Sequence, residues 1–180
     1  MLPSPAPKHA ELLEAIRDKA ANLFESGALL CAPAVLVTLN HALGGGLSHQ
    51  QAKAVAAALP EGMGGAGCSC GALSGAQVAV GLFLGGKLPW RKMAPPAREM
   101  HDQFKGHFGS TCCRVLSKKV KHDPKAHFAQ CTGITGEAAA QAAQIILEAK
   151  PELAKKADWD FLRKRTSRLA AGVKKLVGAS

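Results

Sequence analysis

Ala28-Leu29-Leu30-Cys31-Ala32-Pro33-Ala34-Val35-Leu36-Val37-Thr38-Leu39-Asn40-His41-Ala42-Leu43, stopped by Gly44-Gly45-Gly46, decides the fold. It is apolar almost all round, and a segment with no solvent face has to lie inside the protein. Pro33 suits a first helical turn and the glycines end the run, so the stretch predicts a buried central helix with Cys31 near its start. Everything else should pack around it. Before it, Leu12, Leu13, Ile16, Ala20, Leu23 and Phe24 recur at helical spacing, with Glu11, Glu14, Arg17 and Lys19 between them, which is the pattern of an amphipathic helix. After it, Ser48-His49-Gln50-Gln51 has the form of a capping box and opens a helix that should end at Leu59-Pro60.

The glycine-rich loop Gly62-Met63-Gly64-Gly65-Ala66-Gly67 follows, then a helix from Cys70 to about Leu84. Gly71, Gly75 and Ala79 stand four apart in it, a stripe without bulk that lets the central helix come close. Pro95-Pro96 predicts the start of a further helix carrying Met100, Phe104 and Phe108, and Gly109-Ser110 should end it and cap the next, which begins at Cys112-Cys113. Lys121-His122-Asp123-Pro124 reads as a loop leading to Cys131, with a helix over 137–149 beyond it. Asp158 is placed to cap a last helix reaching about Val177. Alternating apolar residues are missing, so no strand is expected. The fold class is all-α, an irregular bundle of about seven to eight helices: a body over 1–154, and a basic C-terminal helix over 155–180 packed on it.

The 180 residues suffice for one core. Aromatic residues make up 4% and tyrosine is absent, so that core is built of Ala, Leu, Val and Ile, and its helices approach closely. The net charge of +10 is one-sided: residues 1–90 hold five Lys/Arg against five Asp/Glu, and the whole excess lies in the second half. Met1 to Lys8 lack the features of a secretory signal, and no apolar run reaches the ~18 residues of a membrane span, so a cytoplasmic location is expected. Structural disulfides are rare there, and six cysteines in a domain of this size point instead to metal binding or catalysis.

Four cysteine positions, Cys31, Cys70, Cys112-Cys113 and Cys131, stand where helices are expected to begin. Unpaired amides and the positive dipole end favour thiolate there, hence redox exchange or ligation. Four converging thiolates would satisfy a two-iron or four-iron cluster or a zinc; two could cycle between dithiol and disulfide. Buried, inert cysteines in an interaction protein are the third possibility. Neither Cys68-Ser69-Cys70 nor Cys112-Cys113 has C-x-x-C spacing, so local sequence does not choose. The glycine loop lacks G-x-x-x-x-G-K-[ST], which argues against a nucleotide site. Among seven histidines, His107 and His127 each precede a cysteine closely enough to tune or replace it.

The spacing Cys31, then Cys70-Gly71-Ala72-x-x-Gly75, then Cys113, then Cys131 resembles the family of redox-active proteins named for a C_GCAxxG_C_C pattern. Cys31-Ala32-Pro33-Ala34-Val35-Leu36 and Phe108-Gly109-Ser110-Thr111-Cys112-Cys113-Arg114-Val115-Leu116 extend the resemblance over about Leu29 to Leu147. It implies a helical protein whose Cys31, Cys70, Cys113 and Cys131 form one redox site, with Cys68 and Cys112, additional to the pattern, as substitutes. An iron–sulfur cluster bordered by Gly67, Gly71 and Gly75 is the cofactor it favours, over zinc or none, with electron transfer narrowly ahead of thiol–disulfide exchange by Cys70 with Cys68 or Cys113. The basic tail, with Arg163, Lys164, Arg165, Arg168, Lys174 and Lys175 and an apolar face of Leu162, Leu169, Val173 and Leu176, suits an acidic redox partner protein or peripheral contact with an anionic membrane. A homodimer is allowed, and nucleic acid is disfavoured because stacking aromatics are scarce.

Overall fold

In the computed structural model, which describes residues 7–86 and 88–167, the chain is helical. The elements are α1 Pro7–Glu25, α2 Cys31–Leu43, α3 His49–Val55, α4 Pro60–Met63, α5 Gly71–Val80, α6 Trp90–Phe108, α7 Cys113–Ser117, α8 Pro124–Ala149 and α9 Trp159–Arg163. A π-helical turn, Gly81–Gly85, extends α5, and a 3-10 turn, Pro151–Lys156, follows α8. These nine α-helices among the described residues slightly exceed the expected number, because three of them are single turns of four or five residues. No strand is present among the described residues; one isolated bridge pairs Ser69 with Cys112.

Helix α2 is central, buried from Ala32 to Asn40 and at Ala42 and Leu43. It is wrapped by α1, α5 and α8, with Ile16, Leu36, Leu39, Leu43, Met100, Phe104, Ile146 and Leu147 closing the core. Small residues set the spacing as the stripe implied. A Cβ on Gly75 would lie 2.5 Å from the Ala32 carbonyl oxygen, so α5 crosses α2 backbone to backbone. A Cβ on Gly136 would lie 2.9 Å from the Arg17 carbonyl oxygen, and α8 lies against α1 in the same way. The capping box at Ser48 and Gln51 is closed in both directions.

Three boundaries differ from expectation. Helix α6 begins at Trp90 and carries Pro95 and Pro96 inside it; the carbonyls four residues back, on Arg91 and Lys92, belong to exposed residues that water can satisfy. Helix α8 begins at Pro124, where the Asp123 carboxylate accepts from the Lys125 and Ala126 amides, so Cys131 stands in the second turn of α8 and not at a helix start. Asp158 does cap a helix, accepting from the Phe161 amide, but that helix ends at Arg163 and residues 164–167 are not helical. There Asn22 clamps the Thr166 backbone, accepting at 2.8 Å and donating at 3.1 Å, while the buried Lys19 ammonium donates to the Lys164 carbonyl. The opening residues Met1–Ala6, on which the signal-peptide reading falls, and the tail residues from Arg168 onward lie outside the described residues. Among the described residues no helix is long and apolar enough to cross a membrane.

Candidate functional site

Three segments reach one place because of backbone hydrogen bonds that no periodicity announces. Around the Ser69–Cys112 bridge, the Cys70 amide donates to the Thr111 carbonyl at 2.8 Å, the Cys113 amide to the Cys68 carbonyl at 2.6 Å, and the Arg114 amide to the Gly67 carbonyl at 3.1 Å. This staple fixes the start of α5 beside the start of α7. The loop behind it is tightly wound: Glu61 and Met63 adopt positive φ (56° and 67°), as do Gly62, Gly64, Gly65 and Gly67. Left-handed conformations are costly for residues other than glycine and are held by the surrounding contacts. Here those are the Gly67 and Cys68 amides bonding to the Glu61 and Gly62 carbonyls. A Cβ on Gly62 would lie 2.6 Å from the Cys68 nitrogen and 2.8 Å from Cys113 Cβ, so that turn packs directly under both cysteines.

Between this loop, the ends of α1 and α2 and the first turns of α8 lies a cavity of about 600 Å³. Cys31, Cys70, Cys113 and Cys131 all line it. Cys68 and Cys112 do not: Cys68 is exposed, and the Cys112 thiol donates to the Gly67 carbonyl at 3.2 Å. All six are free thiols. Of the three glycines expected near a bound group, Gly67 and Gly71 line the cavity, while Gly75 lies at the α5–α2 crossing outside it. His127 lines the cavity; His107 does not, and its ring lies against Phe108 instead. The side chains that sequence reading missed are Glu61 and Arg114, both on the cavity wall, together with Phe24 and Phe128, which stack at 5.1 Å. No sequence signal marks Glu61, whose position depends on the left-handed turn.

The electrostatics of this cavity disfavour bare thiolates. Burial pushes the Cys70 thiol up to about 11, against the pull of the Leu73 and Ala72 amides, which face the sulfur without closing a cap of hydrogen-bond geometry; Cys31 and Cys113 raise it further. Burial takes Cys131 to about 12, and Cys31, Cys70, Cys113 and the Glu61 carboxylate add to the effect. Cys31 and Cys113 are also raised, by burial first. Thus the dipole argument made from helix starts loses to desolvation: backbone amides lower the values of Cys31 and Cys70, and burial outweighs them. The sulfurs are near enough to repel one another as anions. A positive charge at the centre would remove both penalties, because a coordinating thiol is deprotonated outright.

A single tetrahedral zinc, with Zn–S near 2.3 Å, requires sulfurs roughly 3.8 Å apart. Among the described residues, no three His, Cys, Asp or Glu side chains are gathered closely enough to hold one ion. The four thiols are distributed around the cavity.

A helical scaffold that lines one cavity with four free thiols is a frame suited to cysteine chemistry. The chain belongs to the family described as "Putative redox-active protein (C_GCAxxG_C_C)", whose family model matches residues 29–145, more than half of its length, and its role is accordingly a redox one. No curated protein and no solved structure matches it. Aligned residue by residue with G-C-A-x-x-G, the run Cys70-Gly71-Ala72-Leu73-Ser74-Gly75 has its first two residues in reverse order. Cys70 is thereby the N-cap of α5, and Gly71 occupies the place of the pattern's cysteine. The structure shows what fills the space: a Cβ on Gly71 would lie 2.5 Å from Cys31 Sγ.

Proposed function

We propose that this protein transfers electrons through an iron–sulfur cluster held by Cys31, Cys70, Cys113 and Cys131. The observation that carries the reading is selective placement: these four of the six cysteines line a single cavity, and the other two do not. Four cysteine thiolates are the ordinary ligand set of two-iron and four-iron clusters, which supply a one-electron couple when bound. The protein's own contribution is to withdraw the ligands from water, Cys70 fully and the other three in part, and to aim the α2 and α5 amides at the sulfurs of Cys31 and Cys70. Raised thiol pKa values support this use over nucleophilic exchange, since at neutral pH the free thiols are protonated and slow to attack a disulfide. Protein purified without oxygen is expected to be brown, with visible absorbance bands and matching amounts of iron and acid-labile sulfide. Colourless protein that takes up neither on anaerobic reconstitution would refute the cluster.

One observation favours a second reading, dithiol–disulfide exchange. Cys31 Sγ lies against Gly71, one residue from Cys70. In that reading the Cys31 and Cys70 thiols release two protons and two electrons as their S–S bond forms, and a partner disulfide takes both and becomes two thiols. Metal-free protein whose Cys31–Cys70 disulfide forms reversibly with glutathione disulfide would establish it.

A further inference from the structure

Two kinds of exposed side chain, apolar and cationic, stand together around the cavity. Of the seven large apolar side chains exposed among the described residues, Leu30 and Phe128 line the cavity, and Met63 and Val115 stand in sequence within two residues of the lining residues Glu61, Gly65 and Arg114. Leu30 and Val115 are more than half exposed, at 54% and 56%. Beside them, α7 and the turn into α8 carry Arg114, Lys118, Lys119, Lys121 and Lys125, all exposed. Their one acidic neighbour within that stretch, Asp123, is occupied in capping α8. None of the five cations is in a salt bridge among the described residues, and Arg114 is held in place by donating to the Ala66 carbonyl at 2.8 Å.

Apolar groups clustered at a cavity and edged by unneutralised charge have the composition of a protein-docking face. The apolar centre gives contact and the charged rim steers encounter. A small, salt-sensitive contact also suits an electron carrier, which has to bind briefly and leave. We infer that the surface at the cavity, where Leu30, Phe128 and Arg114 stand on the wall and Met63, Val115 and the cations of residues 118–125 follow in the adjoining segments, docks an acidic electron-carrier protein. This rests on the proposed redox site only in naming the partner as a carrier; the surface itself is independent of any cluster. The partner's contact face should be apolar at its centre and carboxylate-rich around it. An anionic membrane or a nucleic acid would satisfy the cations and leave the apolar residues without a protein surface to meet.

The test uses the full chain and an acidic two-iron ferredoxin as probe, with affinity measured by titration calorimetry at low and at physiological salt. Charge reversal at Lys118, Lys119 and Lys121 together, each to Glu, is expected to weaken binding roughly tenfold or more at low salt. The same change at Arg91 and Lys92, exposed on α6 away from the cavity, should leave it within about twofold. Val115→Ser should weaken binding at both salt concentrations, which a purely electrostatic contact would not show. No binding of the ferredoxin at low salt, or equal weakening by the two charge reversals, would overturn the inference. So would tight binding to phosphatidylserine vesicles or to a DNA duplex when the ferredoxin does not bind. Because calorimetry does not need electron flow, docking that survives in metal-free protein would leave this inference standing while the cluster fails. Iron-loaded protein that does not bind would do the reverse.

Discussion

The two walls of the cavity are built differently. Cys31 and Cys70 belong to α2 and α5, which cross with Gly75 against the Ala32 backbone and are buried along most of their length. Cys113 and Cys131 belong to a stretch in which no residue from Lys105 to Gly133 is buried, and α7 itself buries nothing. One wall is therefore fixed by close packing; on the other, Cys113 is held by a few backbone hydrogen bonds to the loop over 67–70, and Cys131 by the part of α8 that precedes its buried stretch. A site that must form around a bound group benefits from such a division: two ligands are preset, and two sit where adjustment costs little packing. The same division shows at the surface, where the loosely packed wall exposes Arg114, Val115, Lys118, Lys119, Lys121 and Lys125.

Substitutions at matched glycines should expose this difference most plainly. Gly75→Ala places a Cβ into the Ala32 carbonyl and is expected to cost about 3 kcal/mol in urea unfolding, because neither backbone can yield without moving the core. An unchanged midpoint would show that α2 and α5 are not locked together. Next in size is a dependence on alkaline pH in the metal-free protein. Cys70 titrates near 11 when folded and at an ordinary 9.0 otherwise, so the folded state keeps a proton that the unfolded chain gives up. Its contribution is complete below about 9 and is lost as pH rises to 11, on the order of 2 kcal/mol, and Cys131 acts in the same direction. Denaturant midpoints that stay level between pH 8 and 11 would contradict the burial of these thiols. The smallest effect belongs to the loosely packed wall: Gly133 is exposed in α8, a Cβ there would meet nothing within 4 Å, and alanine should be accepted with a gain of about 0.5–1 kcal/mol. A loss there as large as that at Gly75 would mean that both walls are equally tight.

The closely packed wall is also the legible one. An apolar run ended by glycines announces α2, and glycines four apart announce the face on which α5 meets it, because burial and close approach restrict which residues are allowed. The other wall carries its information in features of low sequence contrast. Asp123-Pro124 is a good helix start, an N-cap followed by proline, yet in a lysine-rich stretch it reads equally well as a turn, and so the sequence places Cys131 one helix boundary away from where it lies. The Ser69–Cys112 bridge is one residue pair long and has no alternation to betray it. Glu61 reaches the cavity through a backbone conformation unusual for its residue type. The expected effect of helix dipoles on the thiols has the right sign for the amides at Cys31 and Cys70, but depth of burial, which reverses the outcome, is a property of the packed molecule alone.

The central claim is that four particular cysteines act as one site and two do not. It is tested most directly by replacing each of the six with serine in turn and measuring iron and acid-labile sulfide per chain after anaerobic reconstitution. Cys31→Ser, Cys70→Ser, Cys113→Ser and Cys131→Ser should each lose most of the iron and the visible absorbance, while Cys68→Ser and Cys112→Ser keep both. Iron retained in all four of the first group, or lost as fully in the second group as in the first, would contradict the account.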